Sequence, residues 1–300
     1  MNSHRLFACF SIGLLSGSNA AEFHLTKEKH AIQSPAVNEA SGLAVSPKNE
    51  RFLWAINDSG GTPELHLLNT DGTDRGKVKV TNASNIDWED IASFTLDGKS
   101  YLLIADTGDN KAVRKSCTLH ILREPSLPAD GQKLSETVTT DRHIDFTYVG
   151  GPRDCESVAV DAVGGKIILI SKRTQPPEVY ELPLRRSGKN GALVLTPIAK
   201  TSVESPAGTL LPFGNQPVGM DISEDETVTA VVTYYGVFLF PRKPTESWAD
   251  AFSHKPTPLG PHSLAQAESV AFAKDGKTIY VVSEGRNSPI AIYQKKPGSP

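Results

Sequence analysis

The sequence predicts an all-β fold, a five-bladed β-propeller, and three observations carry that prediction. First, a short acidic or polar cluster runs into a strand-like apolar stretch five times: N-E-A-S-G-L-A from Asn38, D-W-E-D-I-A from Asp87, D-C-E-S-V-A from Asp154, Q-P-V-G-M-D from Gln216 and Q-A-E-S-V-A from Gln266. Second, each stretch is followed by a turn and a second strand rich in β-branched and aromatic residues. Third, the steps from Glu39 to Asp87, Asp154, Gln216 and Gln266 are 48, 67, 62 and 50 residues. Self-similarity on such a period, with several short strands per unit, is the signature of a radial β-sheet repeat.

The elements follow in order within each unit. The second strands are F-L-W-A-I from Phe52, Y-L-L-I-A from Tyr101, K-I-I-L-I from Lys166, V-T-A-V-V from Val228 and T-I-Y-V-V from Thr278. P-K-N-E, L-D-G-K, V-G-G-K, S-E-D-E and K-D-G-K supply the hairpin turns between first and second strands. Third strands start at Glu64, Thr118, Glu178, Val237 and Ile290. None of the steps leaves room for a further complete four-stranded blade. Six blades are the alternative, with a degenerate blade inside the longer second or third unit. The last unit ends after Tyr293 without an outer strand, and E-F-H-L-T-K from Glu22 is expected to supply it, closing the ring and pairing its open edges.

Residues 1–20 read as a secretory signal peptide: Arg5, an apolar run from Leu6 to Leu15, then Ser18-Asn19-Ala20. A run of about ten apolar residues is shorter than the roughly twenty that span a bilayer. The chain is therefore expected to be exported, periplasmic or extracellular, with residues 21–300 forming one propeller domain. The formal net charge of −3 argues against nucleic-acid binding, which draws on a basic surplus, and no membrane insertion is expected. A monomer is expected. Cys117 and Cys155 would remain after cleavage, either bridged or as two buried thiols.

The candidate site follows from strand direction. In a propeller the first strand lines the channel and the second runs back beside it, so the start of one and the end of the other share a face. Aligned units put Ser41, Glu89, Glu156, Val218 and Glu268 in one column, with Glu39, Asp87, Asp154, Gln216 and Gln266 two residues earlier. The period-two geometry of a strand points both columns the same way. The second strands end at Asn57, Asp106, Ser171, Thr233 and Ser283. The D-W-E-D-I-A and D-T-G-D-N segments of the second unit make it the densest cluster. Carboxylates crowded at a partly dry rim either stay protonated or collect a cation. A hard divalent ion, above all Ca²⁺, suits such oxygens, and no His or Cys cluster points to zinc or iron. The other reading is that the carboxylates accept backbone N–H groups and tie the ring together. Lys172, Arg173, Arg153 and Arg286 reach the same face and would balance the charge or seat an anionic group. Trp88, Tyr234 and Tyr235 offer aromatic walls. Of eight histidines, His262 alone stands near a first-strand start, as a weak candidate for a catalytic base.

The segments D-C-E-S-V-A-V-D…K-I-I-L-I-S-K and A-E-S-V-A-F-A-K-D-G-K-T-I-Y-V-V-S-E-G resemble the E-G-x-A…D-x-x-L-Y-V-V-S-E repeats of exported bacterial propellers. That group includes β-propeller phytases, phytase-like esterases and the calcium-dependent phosphotriesterase-like superfamily of gluconolactonases and paraoxonases. The D-W-E-D-I-A and D-T-G-D-N pair is similar to exported bacterial proteins of undefined activity. Here the third and fifth units carry serine where the pattern has glycine. The resemblance implies Ca²⁺ near the axis, held by Glu89, Glu156 and Glu268 with Asn57 and Asp106 as further ligands. Glu39 and Asp87, in the same acidic columns, complete the metal-ligand candidates.

The expected function is a metal-dependent hydrolase-type site for a phosphoester, ester or lactone, with Glu89 as general base and Lys172 and Arg173 holding an anionic group. The alternative is a non-catalytic propeller that binds a glycan, peptide or envelope partner. Both readings place a small-molecule or glycan ligand on the channel face.

Overall fold

The computed structural model describes residues 23–186, 191–204 and 214–297. The expected signal segment, residues 1–20, lies outside them. Five sheets stand around an axis, so five is the blade count and the alternative of six falls away. No helix among the described residues is long and apolar enough to cross a membrane.

Two N-terminal strands, β1 (Phe23–Leu25) and β2 (His30–Ala31), pair with the last strand of the chain. This is the ring closure expected from the sequence. Blade one holds β3 (Ala40–Val45), β4 (Phe52–Asn57), β5 (Glu64–Asn69) and β6 (Asp74–Thr81). Blade two holds β7 (Trp88–Leu96), β8 (Lys99–Asp106) and β9 (Cys117–Arg123). The next strand, β10 (Leu134–Thr139), leaves that blade and lies parallel to β6 as a fifth strand of blade one. The chain then returns as β11 (Arg142–Tyr148) to complete blade two.

Blade three repeats the move. It holds β12 (Cys155–Asp161), β13 (Lys166–Ser171) and β14 (Glu178–Pro183), then sends β15 (Leu193–Leu195) back, parallel to β11, before β16 (Ala199–Lys200) closes it. The extra length of the second and third units is therefore spent on two strands that latch each blade to its predecessor. Blade four holds β17 (Pro217–Ile222), β18 (Val228–Thr233), β19 (Val237–Pro241) and β20 (Thr257–Gly260), with a short helix α1 (Trp248–Ser253) inserted before β20. Ser247 and Asp250 form its capping box. Blade five holds β21 (Ala267–Phe272), β22 (Thr278–Ser283) and β23 (Pro289–Lys295).

The apolar second strands explain why the sheets stack. Their two faces are both buried, and alternate residues feed different cores. In β8, Leu102 and Ile104 join Trp54 and Ile56 between blades one and two, whereas Leu103 and Ala105 join Phe146, Tyr180 and Leu182 between blades two and three. In β13, Ile167 and Leu169 face blade two while Ile168 and Ile170 face Val231, Phe240 and Trp248 toward blade four. The remaining two cores fill the gaps between blades four and five and between blades five and one. Five interfaces thus hold five cores. Each fully buried large aliphatic or aromatic side chain contributes about 1.5–3 kcal/mol. Cys117 and Cys155 are buried free thiols in the core between blades two and three.

Every first strand breaks its register at the same place. The ladders skip a residue between Ala40 and Gly42, Trp88 and Asp90, Cys155 and Ser157, Pro217 and Gly219, and Ala267 and Ser269. The residues skipped are Ser41, Glu89, Glu156, Val218 and Glu268, the whole aligned column. A β-bulge re-aims the side chain of its extra residue. The residue after each bulge is small or short: Gly42, Asp90, Ser157, Gly219 and Ser269, all buried. Crowding at the axis demands it. A Cβ on Gly42 would lie 2.7 Å from the Ile91 nitrogen and 2.9 Å from the Asp90 carbonyl carbon. The serines at 157 and 269 occupy equivalent positions in blades where a Cβ is accommodated.

Candidate functional site

The bulges of blades two, three and five deliver Glu89, Glu156 and Glu268 to one rim, and blades two and three carry most of its carboxylates. Two carboxylate groups form there, Asp58–Asp87–Glu89 and Glu89–Asp154–Glu156, with one oxygen from each member of a group within 4.8 Å of the others. Glu89 belongs to both. Gly108, on the loop after β8, is the floor beside them: a Cβ there would come 2.6 Å from the Asp87 carboxyl and closer still to Glu89.

Burial and mutual repulsion set the protonation of this cluster. Glu89 is 4 % exposed, and burial, reinforced by Glu156, Asp58, Asp87 and Asp154, pushes its carboxyl well above the usual range. Burial and the adjacent Asp58 raise Asp87 to about 6. For Glu156 burial outweighs Lys172 and leaves the carboxyl at about 7. Burial opposes the charge on Lys172, but Glu156 and Tyr234 hold its ammonium in the protonated form.

The two carboxylate groups differ in how they are compensated. Lys172 donates to Glu156, and Arg173 Nε lies 2.8 Å from Asp154 Oδ2. Asp154 Oδ1 also accepts the Asp109 N–H at 2.8 Å, and Arg173 reaches Asn110 with its other arm. No such cation is paired with Asp58, Asp87 or Glu89 among the described residues. In the two groups, Asp58, Asp87 and Glu89, against Gly108, are therefore the carboxyls without an ion-pair partner among the described residues.

A hydrogen-bonded chain carries the rim from blade three to blade five. Lys172 Nζ donates to the Tyr234 hydroxyl at 3.1 Å, and that hydroxyl donates to Glu268 Oε1 at 3.0 Å. Tyr234 follows the second strand of blade four, where Val218 interrupts the polar column. Its ring packs with Val218 in the core between blades four and five. Burial and Glu284 raise Glu268 to about 9. Glu284 also accepts from the Gln266 side chain.

The remaining candidates are placed as follows. Asn57 Oδ1 accepts the N–H groups of Asn38 and Glu39, each at 3.2 Å, and its Nδ2 donates to Ala36 at 2.7 Å. Asp106 does the same one blade on, accepting from Asp87 N at 3.2 Å while its Oδ1 lies 2.7 Å from Arg114 Nη1. Both cap the entry to a first strand and stand outside the carboxylate groups. Glu39 is exposed and is not brought into them. Asp109 accepts from Val113 and Arg114 in a turn. His262 is a clamp, with Nδ1 accepting from Leu264 N at 3.1 Å and Nε2 donating to the Thr233 carbonyl at 2.9 Å. Trp88 is fully buried and donates to Ser84. Arg153 pairs with Glu178 at 2.9 Å. Arg286 is exposed.

The sequence places the second-strand ends that carry Asp58 and Glu284 on this rim but singles out neither residue. Each immediately follows a second-strand residue that did attract notice, Asn57 and Ser283, and the N–H of each bonds to the carbonyl of the earlier acidic or amide column, Glu39 and Gln266. The segments N-D-S-G-G from Asn57 and S-E-G-R from Ser283, which start at two of those second-strand ends, carry both carboxylates. The fold and the rim define a five-bladed propeller with a buried carboxylate centre on one face.

Neither a family model nor a curated protein matches the chain. Among solved structures, it is similar to a chain of a nidogen/laminin complex, with 12% identity over 82% of this chain and 73% of that one and a TM-score of 0.45. It is also similar to a gluconolactonase from Xanthomonas campestris, with 11% identity over 84% of this chain and 71% of that one and a TM-score of 0.46.

Proposed function

We propose that the carboxylate rim is a divalent-cation site, with Ca²⁺ as the fitting ion, serving a hydrolase-type reaction on a phosphoester, ester or lactone. The observation that carries this reading is the sharing of Glu89 by two carboxylate groups beside Gly108. The donor set fits the ion: it is all oxygen, anionic and partly dry, which is what a hard divalent cation prefers. Asp58, Asp87 and Glu89 would hold it, and it would supply Lewis-acid polarisation of a phosphoryl or carbonyl oxygen. Export guided by residues 1–20 would bring the chain to a compartment where Ca²⁺ is plentiful.

The chain's own residues supply the rest. Arg173 has a side chain 42% exposed, so its guanidinium can turn an edge outward to an anionic group while Asp154 holds its Nε. Lys172 is committed to Glu156 and Tyr234 and acts as a fixed positive charge beneath that group. Glu89, when ionised, takes a proton from an attacking water at a carboxylate oxygen. Tyr234 keeps Lys172 and Glu268 in register.

A second reading, recognition of a glycan, peptide or envelope partner without turnover, is favoured by that same commitment of Lys172 inside the ring. Aryl phosphates, aryl esters and lactones assayed with Ca²⁺ and with chelator separate the two. Hydrolysis that chelator abolishes and Glu89→Gln reduces by about 10²-fold or more supports the enzyme. Ligand-dependent stabilisation with no turnover on any of the three supports recognition alone.

A further inference from the structure

A cavity of about 220 Å³ opens beside the carboxylate rim, between the loop after β8 and the end of β11. Its walls are Cys117, Phe146, Thr147 and Tyr148, and its mouth carries Asp109, Arg114, Lys115 and Arg153. The Tyr148 side chain is buried, and its hydroxyl makes no hydrogen bond to a protein nitrogen or oxygen. The lining thus holds three cations against one carboxylate, in a chain of net charge −3.

Three exposed valines are neighbours of lining residues in the chain or across a strand pair. Val113, Val149 and Val194 are 70%, 49% and 66% exposed. Val113 and Val149 adjoin the lining residues Arg114 and Tyr148 in the chain, and Val194 pairs in register with Thr147. The charges at the mouth are not equal. Arg114 is held by Asp106 and Arg153 by Glu178, whereas exposed Lys115 has no carboxylate partner among the described residues. A cavity of about 150 Å³ accepts a benzene ring, so this one accommodates a ring with one small substituent.

We propose that this cavity is a binding site for a small amphiphilic anion, an aromatic ring or branched aliphatic group bearing a carboxylate. The ring lies in the cavity against Cys117, Thr147 and the edge-to-face pair Phe146–Tyr148, whose centroids are 5.4 Å apart, and the carboxylate stays at the mouth with Lys115. The site goes beyond the cation reading and does not depend on it, since binding is measured without metal or turnover. The link to the rim is Asp109, which lines the cavity and donates its N–H to Asp154.

The test uses ¹⁹F NMR titration of the folded chain with 4-fluorobenzoate, and with 4-fluorobenzamide as the uncharged control, in the presence of chelator. Ser116 and Lys115 at the mouth are exposed, so Ser116→Trp and Lys115→Glu leave the fold intact. Saturable binding of 4-fluorobenzoate is expected, weakened about tenfold or more by Ser116→Trp. Lys115→Glu is expected to weaken the benzoate about threefold, as an exposed charge pair would, and to leave the benzamide unchanged. Absence of saturable binding, or binding that Ser116→Trp does not alter, overturns the proposal. Equal effects of Lys115→Glu on both probes overturn its claim on the anion.

Discussion

Asp90 of the second blade accepts the backbone N–H of Met220 in the fourth blade at 3.1 Å, past the blade that lies between them. The same Oδ2 accepts from Val158 in the third blade at 2.8 Å, and Oδ1 accepts from Ile91 at 2.9 Å. One buried carboxyl therefore ties three first strands at the axis. Asp221 repeats the device toward Phe272 at 2.8 Å.

Asp90→Ala is expected to destabilise the protein by about 3–5 kcal/mol, because two buried N–H groups on other blades lose the Asp90 carboxyl as acceptor. Urea unfolding measures it. A loss below about 1 kcal/mol would show that the axis re-forms those bonds with water.

Two glycines separate stability from the site. Gly42→Ala pushes a Cβ onto the backbone of β7, which cannot yield, and is expected to cost about 1–3 kcal/mol. Gly108→Ala instead meets the carboxyl ends of Asp87 and Glu89. It is expected to leave the unfolding midpoint nearly unchanged while weakening cation binding at least tenfold. Calorimetry and urea unfolding of both variants decide this. A Gly108→Ala protein that binds Ca²⁺ normally would move the ion away from Asp87 and Glu89.

Tyr234→Phe removes the hydroxyl between Lys172 and Glu268 and is expected to cost about 1 kcal/mol. The double variant Tyr234→Phe, Glu268→Gln should cost less than the sum of the singles, since both break one bond. Strict additivity would mean that the bond contributes nothing.

The rim also fixes a pH dependence. Glu156 at about 7 and Glu268 at about 9 sit above the ordinary value of about 4 for an unfolded carboxyl. Between those limits the folded chain holds protons that the unfolded chain has released, so stability falls as pH rises. The contribution is complete below about pH 4 and lost as pH passes through 7 to 9. Histidines such as His66, lowered by burial to about 4, act in the opposite sense only below about pH 6.5. With chelator present, the melting temperature is expected to drop from pH 6.5 to 9.5, and Ca²⁺ to flatten that slope. A melting temperature that rises over this interval contradicts the assignment.

Much of this was legible in the chain. The five clusters and their spacing set the blade count, and the missing outer strand after Tyr293 pointed to the N-terminal segment. The destinations of β10 and β15 were not legible, because a parallel strand that joins the previous blade leaves no local mark and its residues simply lengthen the unit. Asp87, Glu89 and Glu156, aligned in the first-strand columns, stand within the two carboxylate groups. The bulges that re-aim Glu89 were hidden because a regular period of two was assumed. The resemblance to calcium-binding propellers implied Asn57 and Asp106 as further ligands. Their oxygens go instead to N–H groups at the first-strand entries, a competition that only three-dimensional register reveals. Asp90, one residue from Glu89, turns inward to the axis for the same reason.

The central claim, that Asp58, Asp87 and Glu89 form a cation site, is tested most directly by titrating Ca²⁺ into chelator-stripped protein in a calorimeter. The account predicts saturable binding that Glu89→Gln abolishes, with a melting temperature raised by the ion. No binding heat in the wild type, together with a melting temperature indifferent to both Ca²⁺ and chelator, would contradict it.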